Sequence, residues 1–181
     1  MEERGLSVRK IVIAGVLAAI SILLGATRLG FIPVPTAAGN ATIMHVPAII
    51  GGIMEGWLVG GIISTIFGLF SFINATVPMF KDPLVAILPR IFIGITAYFS
   101  YAALKGVNEY VALIVAAVVG TLTNTILVLG MAVIRGYMAG GVALTVGVTH
   151  GLPEAVVAAI ITVAVVVAWK RIETGRGEAK M

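Results

Sequence analysis

The sequence predicts an all-α bundle of six transmembrane helices, and three observations carry that expectation. Of its 181 residues, 60% are apolar and only 11% are charged, at a mean hydropathy of +1.12. A soluble domain of this size does not hide so much apolar surface. The apolar residues also fall in runs of span length, about 20 helical residues being enough to cross the hydrocarbon core. Gly, Pro and charged residues punctuate those runs at spacings that leave room for six crossings in one unit, a single domain over 1–181.

Helix one is expected over 8–29, whose interior carries nothing more polar than Ser21 and Thr27. Its apolar run follows Arg9 and Lys10, has span length and lacks a small-residue cleavage pattern, so it reads as a retained helix rather than a signal peptide. Two prolines and two glycines then break regular structure, which predicts a long extracellular loop over 30–41, apolar enough to pack. Between Ala41 and Phe80 the only ionisable residues are His45 and Glu55, and the segment is about twice what one crossing needs. It therefore folds back, at Glu55-Gly56-Trp57, where a carboxylate, a helix-weakening glycine and an interfacial tryptophan coincide. That gives helices two and three.

Lys81-Asp82-Pro83 marks the next loop, and helix four is expected over 84–104. A turn over 105–109 leads into helix five, 110–134, and a glycine-rich turn over 135–141 follows it. Helix six is clearest over 153–169, with Pro153 in a first turn where its missing N–H costs nothing. The remainder, 171–181 in particular, reads as a polar, mobile cytoplasmic tail. Six crossings place both ends of the chain on one side, with Arg4, Arg9, Lys10, Lys105, Lys170, Arg171, Arg176 and Lys180. Arg28, Lys81, Arg90 and Arg135 fall on the other, so the positive-inside rule makes the termini cytoplasmic.

The formal charge is +4, but the basic residues cluster at span ends rather than in an arm or stripe, which argues against a nucleic-acid partner. With no cysteine there is no disulfide, thiolate metal site or thiol nucleophile. The only histidines are His45 and His150. His45 beside Pro47 reads as structural, and neither a metal site nor a cofactor is expected. H-E-x-x-H, G-x-S-x-G and the Walker lysine motif are all missing, so the chain is not expected to be an enzyme. If it takes part in energised transport, the ATPase belongs to another chain.

Some residues stand out against the apolar background. Ala14 with Ala18, and Gly15 with Ala19, form two small-residue ridges on helix one, suited to close packing inside the bundle or to docking a partner subunit. Arg90 lies about 10 Å into helix four. A charge there costs roughly 2 kcal/mol or more unless it is paired or faces a wet cavity. Glu154 is its natural partner across helices four and six. Asn74, Asn124 and His150 fall in the outer half on this topology, with Asn40 and Thr42 ending the long loop. Together these residues make a polar pocket in apolar surroundings, suited to an organic solute rather than a bare ion.

Five segments carry a resemblance: Ala14-Gly-Val-Leu-Ala18, Ile43-Met-His-Val-Pro-Ala-Ile-Ile-Gly-Gly52, Phe67-Gly-Leu-Phe-Ser-Phe-Ile-Asn74, Ile87-Leu-Pro-Arg-Ile-Phe-Ile-Gly94 and Gly151-Leu-Pro-Glu-Ala-Val-Val157. In this order they resemble the substrate-binding S components of energy-coupling factor vitamin transporters. The resemblance implies a cell-membrane protein that captures a vitamin under the first loop, between the outer ends of helices four to six. It implies docking through helix one, with Ala14 and Ala18 matching the motif, onto a membrane coupling subunit that carries two ATPase subunits. The pocket candidates are then Asn40, Thr42, Asn74, Arg90, Asn124, His150 and Glu154, with Phe31, Phe72 and Met131 as aromatic and apolar walls. Riboflavin is the first expected cargo, its ring system in an apolar slot edged by amides. Pantothenate, whose carboxylate suits Arg90, comes next, then folate or another vitamin. A stand-alone membrane facilitator is the competing class.

Overall fold

In a medium without water a helix satisfies its own backbone, so long apolar runs become helices. The structure, a computed structural model, describes residues 6–36 and 39–178, without the side chains of 33–40 and 175–178. Arg4 and Lys180, and the side chain of Arg176, lie outside the described residues. In chain order it forms α1 (Val8–Ala26), β1 (Phe31–Thr36), β2 (Gly39–Thr42), α2 (Val46–Glu55), α3 (Trp57–Ile73), α4 (Pro83–Ala86), α5 (Phe92–Leu104), α6 (Glu109–Ile134) and α7 (Gly140–Glu178). Single 3-10 turns occupy Pro78–Lys81 and Leu88–Ile91.

Four segments are long and apolar enough to cross a membrane: Val8–Ala26, Pro83–Leu104, Glu109–Ile134 and Gly140–Thr174. The other two helices are shorter, about 15 Å for α2 and about 26 Å for α3 at 1.5 Å per residue. Every residue of α2 from Val46 to Ile53 is buried. An all-round apolar helix belongs inside protein, and α1, α3, α5, α6 and α7 all pack against this one. Around it lies the core of Ile49, Ile63, Phe67, Ile93 and Leu113.

Three glycines bring α2, α3 and α5 into backbone contact. A Cβ on Gly60 would sit 2.7 Å from the Gly52 Cα, and one on Gly94 would sit 2.5 Å from Gly60. Gly56 turns the chain between α2 and α3 with φ of +103°, which L side chains rarely adopt. The fold-back at Glu55-Gly56-Trp57 is thus where the residue chemistry places it.

Side-chain contacts define two ends of the bundle. At one, the tail end, Arg9 of α1 reaches Glu55 of α2 and Glu173 of α7, while Lys170 of α7 reaches Glu109 of α6. At the other, the hairpin end, Ser21 of α1 donates to the Met44 carbonyl (2.6 Å), and Asp82 before α4 meets Arg135 after α6.

Three expectations are corrected. The segment 30–41 is an antiparallel hairpin rather than an irregular loop, with Phe31 opposite Thr42, Ile32 opposite Ala41 and an irregularity between Pro33 and Thr36. Its prolines are tolerated because each strand of a two-stranded ribbon has one free edge. Helix four is not continuous, because Pro89 and the 3-10 turn over Leu88–Ile91 separate α4 from α5. Helix six does not begin at Pro153. Helix α7 starts at Gly140, carries Pro153 inside it, and continues through the expected tail to Glu178.

Candidate functional site

The break in the α4–α5 segment positions Arg90. Proline at 89 brings no N–H, and the tight turn leaves the Ala86 carbonyl to accept from the Arg90 side chain, Nη1 to O at 2.5 Å. The Gly94 amide, near the start of α5, donates instead to the Ser64 hydroxyl of α3 at 3.0 Å. Arg90 is 4% exposed, and its guanidinium lies between two aromatic rings, 4.9 Å from the Phe67 centroid and 4.8 Å from that of Phe80. A desolvated cation over a ring gains about 2 kcal/mol, which offsets part of the burial cost. Its Nε is buried without a hydrogen-bond partner.

Glu154, 5% exposed on α7, does not form a contact ion pair with Arg90. Its Oε1 accepts from the backbone N–H of Thr42 at 2.6 Å and so ties the hairpin to α7. The expected bridge is corrected: the carboxylate takes a backbone donor instead, while the guanidinium is held by two rings and one carbonyl, with its Nε unpartnered. The two charges remain in electrostatic reach of each other, and Arg90 also acts on His45. His45 is fully buried, with Nε2 2.9 Å from the Thr121 hydroxyl and Nδ1 without a hydrogen-bond partner.

One turn beyond Thr121 on α6 stands Asn124, buried, its Oδ1 also without a partner. One turn before Glu154 on α7 stands His150, buried, with Nδ1 3.2 Å from both the Thr149 hydroxyl and the Val146 carbonyl. Arg90 Nε, Asn124 Oδ1 and His45 Nδ1 are therefore three unpartnered buried polar atoms. Each such atom costs about 1–3 kcal/mol when left unsatisfied, so each calls for an explanation.

Other candidates are placed differently. Asn74 is exposed and caps α3, its Nδ2 donating to the Phe70 carbonyl at 3.1 Å. Asn40 pairs with Pro33 in the hairpin, and its side chain lies outside the described residues. Phe31 is 37% exposed on β1, and Phe72 is half-buried near the end of α3. Met131 packs with Met79, Phe80 and Met138 against Val85, Val128 and Ala132. Sequence reasoning does not single out Phe67, Phe80 or Thr121, because an aromatic or a threonine in an apolar run carries no signal until its neighbours are known.

Asp82, which sequence reasoning did not count among the site candidates, is tied down at the hairpin end. Its Oδ1 accepts from the Leu84 amide (2.9 Å) as the cap of α4, while Oδ2 accepts from Arg135 Nε (2.7 Å) and the Tyr137 hydroxyl (3.4 Å). The Arg135 hydrogen bond, above all, holds this carboxyl below its usual range and holds Arg135 above its own.

On α1 the two small ridges separate. Ala14 and Ala18 are buried, 7% and 4% exposed, within the chain's own bundle, while Gly15 and Ala19 face outward and a Cβ on Gly15 would meet nothing. Ala14 and Ala18 thus pack within the bundle, and Gly15 and Ala19 are the small residues left exposed on this part of α1. At the tail end, Arg9, Lys105, Trp169, Lys170 and Glu173 border a cleft of about 230 Å³. Among the described residues no cluster of three His, Cys, Asp or Glu side chains is placed to hold a metal.

Comparison with known proteins places this geometry in context. Residues 9–166 match the family described as the substrate-specific component of the ECF transporter. The pantothenic acid transporter PanT of Lactococcus lactis subsp. cremoris is 36% identical over 108 residues, 49% of this chain. The match spans 54% of that protein, so the chain covers about half the length of its curated relative. The fold is shared with a solved structure reported as the S component of a bacterial ECF transporter. There the TM-score is 0.65 at 16% identity, covering 92% of this chain and 96% of the other.

Proposed function

Because the chain belongs to the substrate-specific components of energy-coupling factor transporters, a family of multi-pass membrane transport proteins and not of enzymes, we propose that it captures pantothenate, with Arg90 as the carboxylate anchor. The observation that carries this reading is the unpartnered Arg90 Nε. Nη1 is engaged by Ala86, so the Nε–Nη2 edge is left to form the paired hydrogen bonds that a carboxylate accepts. Asn124 and His150 supply partners for an amide and hydroxyls, and the hairpin tied down by Glu154 covers the ligand. The curated relative is a pantothenic acid transporter, which favours the same cargo. Riboflavin, the first expectation from the sequence, has no carboxylate and leaves that edge of Arg90 unused.

Calorimetric titration of the purified protein tests the reading with three ligands: pantothenate, its alcohol analogue in which –CH2OH replaces the carboxylate, and riboflavin. Pantothenate binds tightly, and the alcohol binds at least roughly thirtyfold more weakly, the effect of removing one member of a buried charged pair at about 2–5 kcal/mol. Arg90→Gln abolishes that discrimination. Equal affinity for acid and alcohol, or binding of riboflavin in preference, overturns the assignment.

In the same reading the chain crosses the membrane six times with cytoplasmic termini. It delivers its cargo by docking, through the open face of α1 around Gly15 and Ala19, onto a membrane coupling subunit with two ATPase subunits.

A further inference from the structure

Two connections meet at the hairpin end of the bundle. One joins α3 to α4 and contains the 3-10 turn Pro78–Lys81; the other joins α6 to α7 and contains Arg135, Gly136 and Tyr137. Among the described residues, the ion pair that joins these connections is Asp82 with Arg135, with the Tyr137 hydroxyl on the same Oδ2. The carboxylate side chain is 6% exposed and the guanidinium 47%, so one partner is fixed and the other reaches it from the surface. Met79 and Phe80, separated from Asp82 by Lys81 alone, pack on Val85, Val128 and Ala132. Phe80 is also one of the two rings that enclose Arg90.

We propose that the Asp82–Arg135 pair is a latch that holds Phe80 over the Arg90 guanidinium, and that Asp82 and Arg135 are positioning residues setting how fast a carboxylate ligand enters and leaves. The inference rests on Arg90 as the anchor. Phe80 sits on a single 3-10 turn that no longer helix stiffens, so the position of its ring follows from what holds the two ends of that turn. One end continues from α3. The other is Asp82, which is held by its cap on α4 and by the surface cation across the gap. Without that cation the turn swings away as a unit, because Met79, Phe80, Met131 and Met138 form a soft, deformable contact. Because the guanidinium is half exposed, it returns to water when the pair opens, so opening on each binding event leaves no buried cation.

Because Asp82 also caps α4, the informative change is at Arg135. Arg135→Gln removes the charge and leaves the cap; Arg135→Lys keeps the charge. Rapid-mixing kinetics with pantothenate on the full chain will show both rate constants raised roughly fivefold in the glutamine variant, with little change in Kd, and restored by lysine. Unchanged rates, or a weaker Kd carried by dissociation alone, overturns the latch. Hydrogen exchange without ligand makes the test independent of the cargo. Faster exchange confined to 79–82 and 135–139 in Arg135→Gln supports the latch, and a wild-type pattern there refutes it. A wild-type protein that ignores pantothenate refutes the cargo instead, and leaves the exchange result to decide the latch.

Discussion

Arg90 and Glu154 each stand directly after a proline. A proline inside an apolar helical run removes one backbone donor and loosens the turn before it. Arg90 uses a backbone group of that turn, donating to the Ala86 carbonyl, whereas Glu154 accepts the Thr42 amide from β2, far off in the chain. Replacing Glu154 by Gln keeps the shape and the acceptor but removes the charge, weakening that bond by about 1 kcal/mol. The Thr42 amide will then exchange roughly fivefold faster, with the bundle's own amides unaffected. Unaltered exchange at Thr42 will show that Glu154 does not hold the hairpin. At this scale the sequence reveals which side chains matter, since a charge or amide in an apolar run needs an explanation. It does not reveal their partners, because a buried carboxylate is served as well by a backbone amide as by an arginine. Phe80 stays hidden for a related reason: its place over Arg90 depends on a 3-10 turn whose geometry no local pattern announces.

Elements were legible wherever their apolar length decided the matter. The runs behind α1, α3 and α6 have no alternative to a helix, and the turn at Gly56 follows from a glycine between polar and interfacial residues. Segment 30–41 was not legible as a hairpin, since Pro33 and Pro35 argue against a strand and only the unpaired outer edges of a two-stranded ribbon excuse them. The start of α7 at Gly140 was hidden by four glycines and a proline that weaken helix propensity, which tertiary packing against α6 overrides.

Helix α1 shows how far a pattern reaches. Two overlapping small-residue ridges are visible in the sequence, but which of them faces inward depends on the rotation of the helix, set by packing on α2 and α3. Only 17% of the apolar window of α1 is buried, against 33–44% for the other three long segments, so this helix has the most surface left for a partner. Gly15→Trp will therefore fold and melt like the parent but fail to co-purify with the coupling subunit. Ala18→Trp forces a large ring into a filled interior, costs about 1–3 kcal/mol or more, and lowers the melting temperature. If Gly15→Trp co-purifies normally, α1 does not dock through this ridge.

At the scale of the whole molecule, the proposed six-pass arrangement takes the chain between its two ends through α1, α2, α3, the α4–α5 pair, α6 and α7, although α2 is too short to cross the hydrocarbon alone. A short, fully buried helix is tolerable because protein rather than lipid surrounds it. Orientation is then a question of lysine and arginine counts at the ends and not of net charge. Arg9, Lys10, Lys105, Lys170 and Arg171 stand at the tail end, against Arg28, Lys81, Arg90 and Arg135 at the hairpin end, where Arg90 is enclosed by rings and Arg135 is paired with Asp82. The proposed orientation therefore puts the tail end in the cytoplasm even though Glu55, Glu109 and Glu173 share it. Because the chain has no cysteine, single cysteines report orientation without background. Leu29, 76% exposed between α1 and β1, and Val107, 85% exposed between α5 and α6, mark the two ends. In intact cells a membrane-impermeant maleimide will label Leu29→Cys, and will label Val107→Cys only after permeabilisation. The opposite pattern inverts the protein in the membrane and places the Arg90 site on the cytoplasmic face, which rules out capture of an external solute. Labelling of both from outside refutes the six-pass arrangement itself, since it leaves an even number of crossings between two residues that α2, α3 and the α4–α5 pair separate by three.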